Sequence, residues 1–325
     1  MKKIICLVLA LTLAAFCFVS CGEKVETIDS ELEINVTVLS GTTGMGAAKM
    51  IVDGCDGLNC KFTVVSDATQ ISAGIIGGTV DVAAVPTNLA STLYKKTNGG
   101  VQVLAINTLG VLYLLENGNT VNSVADLKGK TVYLPGQGTN PEYILKYIIE
   151  QNGLTVGDDV IFDYTYNTPD TLATAVTSGL CNIALLPEPK VTAVKSSNAD
   201  VRTALDITAE FDTVAPAGSL AQGCIIARKA FIDAHKNEVN AFLKEYKKSI
   251  EYTSEDPNGA AEKIAAAGII PKAPLALKAL PNCNIVYIDG NNMKTALENF
   301  YSILYSVEPT SIGGAIPDAG IYYLP

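Results

Sequence analysis

The sequence predicts an α/β protein made of two similar lobes, and three observations carry that prediction. From residue 33 onward, short strand-like runs alternate with helical stretches, the pattern of βαβ units on a mostly parallel sheet. Residues 80–85 hold five apolar residues in six, as a strand buried on both faces requires. The segment Ile75-Ile76-Gly77-Gly78-Thr79-Val80-Asp81-Val82-Ala83-Ala84-Val85-Pro86 is echoed by Val176-Thr177-Ser178-Gly179-Leu180-Cys181-Asn182-Ile183-Ala184-Leu185-Leu186-Pro187. Gly78 then aligns with Gly179, Asp81 with Asn182 and Pro86 with Pro187. Two buried strands can match by chance; if the echo is real, the lobes share one topology.

In order along the chain, residues 34–39 read as a strand and 44–52 as a helix. Residues 61–65 form a second strand, followed by a helix from Ser66 whose Asp67 and Gln70 have capping-box spacing. The third strand is 80–85, a helix follows at 89–96, and a fourth strand at 101–107. Residues 109–116 cross into the second lobe, and 223–227 return as another apolar strand. A single amphipathic helix is expected over 229–254, with Phe231, Val239, Phe242, Leu243, Tyr246 and Ile250 on one stripe. The last helix, 292–304, places Met293, Leu297, Phe300 and Leu304 together and is expected to pack on the first lobe.

With 325 residues, 48% of them hydrophobic and 17% charged, the chain has ample material for two cores, and disorder is excluded. The formal charge is −10, and removing Lys2 and Lys3 with a leader takes it to −12, so a nucleic-acid-binding surface is not expected. His235 is the only histidine, which leaves no zinc pair or triad and no histidine-dependent catalytic network; no metal and no cofactor is expected.

Met1, Lys2 and Lys3 precede the apolar run 4–19, broken only by Thr12, and the chain turns polar directly after Cys21. That run is shorter than the ~20 residues a span needs, so it reads as a signal peptide over 1–20. Phe18-Val19-Ser20-Cys21 resembles the bacterial lipoprotein signal, with Phe18 departing from the usual Leu; it implies lipidation of Cys21 and a tether over 21–31. Ordinary secretory cleavage is the alternative. Of the remaining cysteines, Cys181 and Cys224 sit in apolar runs and read as buried thiols. Cys55 and Cys60 flank a turn and could close a short disulfide.

Several segments together resemble the bacterial ABC-importer substrate-binding lipoproteins of the nitrate/sulfonate/taurine and thiamine-precursor class. They are Gly78-Thr79-Val80-Asp81-Val82-Ala83, Val124-Ala125-Asp126-Leu127-Lys128-Gly129-Lys130-Thr131-Val132, Gln137-Gly138-Thr139-Asn140-Pro141-Glu142-Tyr143, the run from Cys224 to Phe231, and Pro309-Thr310-Ser311-Ile312-Gly313-Gly314. Each motif is weak, and their order carries the likeness. The resemblance implies a two-lobed periplasmic-binding-protein type II fold with two hinge strands, one lobe formed by 32–110 plus 224–325 and the other by 111–223. It further implies a monomeric binding protein, not an enzyme, on the outer face of the cytoplasmic membrane or in the periplasm. Such a protein captures a small-molecule solute and delivers it to an ABC permease and its ATPase.

In open α/β sheets, ligands bind beyond the carboxyl ends of the strands, where glycine turns lead into helix starts. Four loops qualify: Ser40, Gly41, Thr42, Thr43 and Met45; Pro86, Thr87 and Asn88; Gln137, Gly138, Thr139 and Asn140; and Glu188 between two prolines. For each, plain helix capping is the alternative. These loops contain no Lys or Arg, which favours a neutral or weakly charged solute, and Glu188 suits an amine or aminopyrimidine. Lys190 and Arg202 are the nearest candidates for a cation brought in from elsewhere. Tyr94, Tyr113 and Tyr143 are expected in core or surface positions. Two alternatives remain open: a pyrimidine- or menaquinone-precursor enzyme on the same fold, and a sensory or adhesive lipoprotein without a permease.

Overall fold

The structure, a computed structural model, describes residues 28–324. The leader and Cys21 lie outside the described residues. Strand β1 (Glu33–Leu39) leads into two short helices, α1 (Thr42–Met45) and α2 (Ala48–Asp53). The expected single helix over 44–52 is broken at Gly46, where a Cβ would lie 2.8 Å from Ile250. Strand β2 (Asn59–Val65), helix α3 (Ala68–Gly77), strand β3 (Val82–Pro86), helix α4 (Thr87–Lys96) and strand β4 (Val101–Thr108) follow. Asp67 caps α3 by accepting the Thr69 N–H at 2.8 Å.

The chain then crosses through β5 (Leu112–Asn117) and continues with β6 (Lys130–Tyr133), α5 (Asn140–Gln151), β7 (Val160–Asp163) and α6 (Pro169–Thr177). Next come β8 (Ile183–Pro187), α7 (Lys190–Ser197), β9 (Val201–Asp206) and α8 (Ile207–Val214). It returns through β10 (Gly223–Arg228) and ends with α9 (Lys229–Ala234), α10 (Lys236–Glu255), α11 (Pro257–Ala266), α12 (Ala273–Ala279), β11 (Ile285–Ile288) and α13 (Gly290–Val307). The predicted long helix is therefore two. His235 leaves helical geometry at φ −134°, ψ 47°, and its ring packs 5.0 Å from that of Phe231.

The strands form a six-stranded sheet, β11-β4-β10-β3-β1-β2, and a five-stranded sheet, β7-β6-β8-β5-β9. Apart from β11, both follow one plan. Three parallel strands, β2-β1-β3 or β7-β6-β8, are flanked by an antiparallel one, β10 or β5, and that one pairs antiparallel with β4 or β9. The two echoed segments of sequence thus supply the same central strand, β3 and β8, and each leads almost directly into a helix. Along β3, Val82 and Ala84 pack with Phe242 and Tyr246, while Ala83 and Val85 pack with Ile71 and Leu93, so both faces are covered, as its unbroken apolar run requires.

Helix α13 does not confine itself to the six-stranded sheet. Its buried stripe of Met293, Leu297, Phe300, Tyr301 and Leu304 joins a core shared by residues of both sheets, and Phe300 meets Phe211 of α8 edge-on at 6.3 Å. Leu104 and Ala105 of β4 face α10, while Val103 and Ile106 of the same strand join α13 in that shared core.

Cys55 and Cys60, which the sequence left able to pair, stand as free thiols. The neighbouring Cys60 thiol, together with burial, pushes the Cys55 thiol well up. The turn between them closes through the backbone instead, Leu58 N–H donating to the Cys55 carbonyl at 3.2 Å. Cys181 and Cys224 are buried thiols.

Candidate functional site: a cleft between the two sheets

The carboxyl ends of β1, β3, β4 and β8 and the start of β5 converge on a cavity of about 520 Å³, within the ordinary range for small-molecule sites. From the six-stranded side, Ser40, Gly41, Thr42, Thr43 and Pro86 line it. Gly41 has φ 93°, a left-handed value that lets the chain turn sharply off β1, and a Cβ on Gly44 would sit 2.3 Å from the Leu39 carbonyl oxygen. From the other side come Asn140, Pro141, Pro169, Asp170, Glu188 and Lys190.

Seven of the sequence-predicted residues therefore meet at one cavity: Ser40, Gly41, Thr42, Thr43, Pro86, Asn140 and Glu188. The others do not reach it. Met45 is wholly buried in the core beneath α11, against Ala260 and Ile264. Thr87 is buried too, its hydroxyl donating to the Ala221 carbonyl at 2.6 Å and its own carbonyl accepting from the Tyr301 hydroxyl at 3.1 Å. Asn88 lies one residue further into α4, and its carbonyl accepts from the Thr92 hydroxyl at 3.0 Å. Gln137, Gly138 and Thr139 are not among the residues that line the cavity. Glu142 takes the Gly138 N–H, and the Thr139 hydroxyl donates to the Gly136 carbonyl at 2.8 Å rather than to a solute.

Sequence reasoning missed the cavity's apolar wall, Val111 and Leu112 at the crossing and Ile269, Ile270, Pro271 and Leu275 before and within α12. It also missed Gln222, whose Oε1 accepts the Val111 N–H at 2.7 Å and so braces one crossing against the other. No motif marks these residues; only the return of the chain brings them to the cleft. Arg202 lies elsewhere, paired with Glu116 at 2.5 Å.

Glu188 is 2% exposed, and its N–H donates to Val111 O at 2.9 Å, fixing the loop after β8 to the crossing strand. Its carboxylate accepts the Thr192 hydroxyl at 2.8 Å and the Thr192 N–H at 3.1 Å, so it also caps α7. Burial raises its pKa, and the bonds from Thr192 and Asn282 only partly oppose that. Asn140, at the start of α5, is 7% exposed, and its Oδ1 has no hydrogen-bond partner among the described residues. Lys190 is held in an ion pair by Asp170.

This two-sheet architecture with its interlobe cavity is the periplasmic-binding-protein type II fold. Residues 56–260 match the family described as NMT1/THI5 like, and the chain belongs to that family. No curated protein matches the sequence. Among solved structures, an ABC transporter from Parabacteroides distasonis is 23% identical, with 91% of this chain and 99% of that one covered and a TM-score of 0.77. The periplasmic aliphatic sulphonate binding protein SsuA of Escherichia coli is 15% identical, with 90% and 92% covered and a TM-score of 0.73. The alkanesulfonate-binding protein SsuA of Xanthomonas axonopodis pv. citri, bound to MOPS, is 12% identical, with 92% and 100% covered and a TM-score of 0.67. At these identities the likeness is one of fold. No described helix is long and apolar enough to cross a membrane.

Proposed function

We propose that this chain is an extracytoplasmic solute-binding lipoprotein that captures a small molecule between two lobes, residues 32–110 with 224–325 and residues 111–223, and delivers it to an ABC permease and its ATPase. The observation that carries this reading is the cavity walled from both sheets, beside which the chain crosses twice, through β5 and β10. Contacts from both walls are satisfied together only when the lobes approach, so solute binding favours closure. His235 lies at the junction of α9 and α10 and is not among the residues that line the cleft.

Solute binding is checked by mass spectrometry of what copurifies and by melting. A saturating solute at a hundredfold excess over Kd should stabilise the protein by roughly 2.7 kcal/mol and shrink the radius of gyration in scattering. A chain that carries no solute and whose melting no candidate solute shifts would refute the reading. Anchoring rests on Cys21 and the polar turn after the leader. Cys21→Ala should move the protein from the detergent phase to the aqueous phase, and an unchanged partition would remove the lipid anchor from the proposal.

A further inference from the structure

We propose that the cleft selects solutes presenting N–H donors from an apolar body, such as an alkylamine or an amidine, and rejects sulfonate and nitrate, with Glu188 and Asn140 as specificity-determining residues. This deepens the solute-binding reading and rests on it.

Four observations converge. Glu188 places a carboxylate, in a residue 2% exposed, on the cavity wall, and among the described residues no basic side chain lies within ion-pair distance of it. Thr192 and Asn282 occupy part of its accepting capacity, and an ionised carboxylate has about four lone-pair sites, so room remains for a solute donor. Asn140 lines the same wall, and its buried Oδ1 is an acceptor with no partner among the described residues, open to a solute donor if the side chain turns. The Glu188 carboxylate thus wants hydrogen, which an amine or amidine supplies and a sulfonate does not, and the Asn140 Oδ1 can take a second donor from the same solute.

The third observation is the fate of the one cation. Lys190 is the only basic residue lining the cavity among the described residues, and Asp170 already neutralises it. With Glu188 ionised, the wall carries a net negative charge, so an anion would enter against like charge without a guanidinium to grip it. The acidic chain, at −10 overall, adds a long-range field of the same sign. Fourth, Val111, Leu112, Ile269, Ile270 and Leu275 give the solute's body an apolar bed.

The test titrates the mature chain with the matched pair butylamine and butanesulfonate, and with benzamidine and nitrate, by thermal shift and calorimetry, beside native mass spectrometry of the protein as purified. Expected are stabilisation by butylamine and benzamidine, none by butanesulfonate or nitrate, and a tenfold or greater loss of benzamidine affinity in Glu188→Gln. Asn140→Ala should weaken benzamidine several-fold. The amide oxygen introduced by Glu188→Gln can still accept the Thr192 N–H, so the cap on α7 survives; Thr192→Val, which trims that cap and keeps the carboxylate, should preserve the preference for amines over anions. Binding of butanesulfonate or nitrate, or an affinity for benzamidine within twofold in Glu188→Gln, would overturn the proposal. A copurifying anionic solute would overturn it too while leaving solute binding intact. A chain that binds neither the probes nor any copurifying molecule would overturn the solute-binding reading itself, and the inference with it.

Discussion

Arg228→Ala is expected to destabilise the protein by about 3 kcal/mol or more, because it strands a buried carboxylate. Asp81 is 6% exposed; its Oδ1 meets the Arg228 guanidinium at 2.5 Å and its Oδ2 accepts the Asn35 N–H at 2.9 Å. Arg228 also donates through Nε to the Val80 carbonyl at 2.9 Å, and its backbone N–H reaches the Asp81 carbonyl at the same distance. The cluster therefore joins β10 to β3 and β1 at the end of the six-stranded sheet opposite the cleft. Removing the arginine leaves the carboxylate with Asn35 alone. The double variant with Asp81→Asn should regain part of the loss, since no unpaired charge then remains. Urea midpoints at constant slope decide the matter: a loss below about 1 kcal/mol would show the pair to be solvated and dispensable.

Phe300→Ala should cost about 3 to 5 kcal/mol, the range for emptying a fully enclosed aromatic site. Phe300 is 0% exposed, and its edge contact with Phe211 continues to Tyr147 at 5.8 Å. The cavity would open where α13, α5 and α8 meet, so hydrogen exchange should accelerate in all three helices and not only in α13. On the outer face of the same helix, Tyr305 is 40% exposed, and Tyr305→Ala should stay within about 0.5 kcal/mol of the parent. Equal effects at the two positions would contradict this packing.

The fold was readable because strands buried on both faces announce themselves as unbroken apolar runs, as at Val82-Ala83-Ala84-Val85 and Ile183-Ala184-Leu185-Leu186. Helix boundaries were less readable. No glycine or proline within 229–254 marks the halt at His235. For the cleft, loops that follow central strands could be found from the strands themselves, which is why Ser40 to Thr43, Pro86 and Glu188 were named. Met45 was misplaced because α1 turns at once into the core. Gln137 to Thr139 fall outside the lining, in a loop that Gly136 and Gly138, at φ 95° and 73°, turn before α5 begins. The wall from 269 to 275 leaves no local trace, since its contact with the cleft is wholly long-range.

The late arrival of β10 also sets an order of assembly. The five-stranded sheet draws every strand from 112 to 206, so it can form as soon as that stretch has been made. The six-stranded sheet cannot: β3 and β4 are not neighbours until Gly223–Arg228 slots between them, pairing Gly223 with Pro86 and with Thr108. Until then two apolar strands stand with open edges, the condition under which chains cross-associate. Pairing β10 with β3 closes a long stretch of chain, and contacts of such sequence separation are the kind that form slowly.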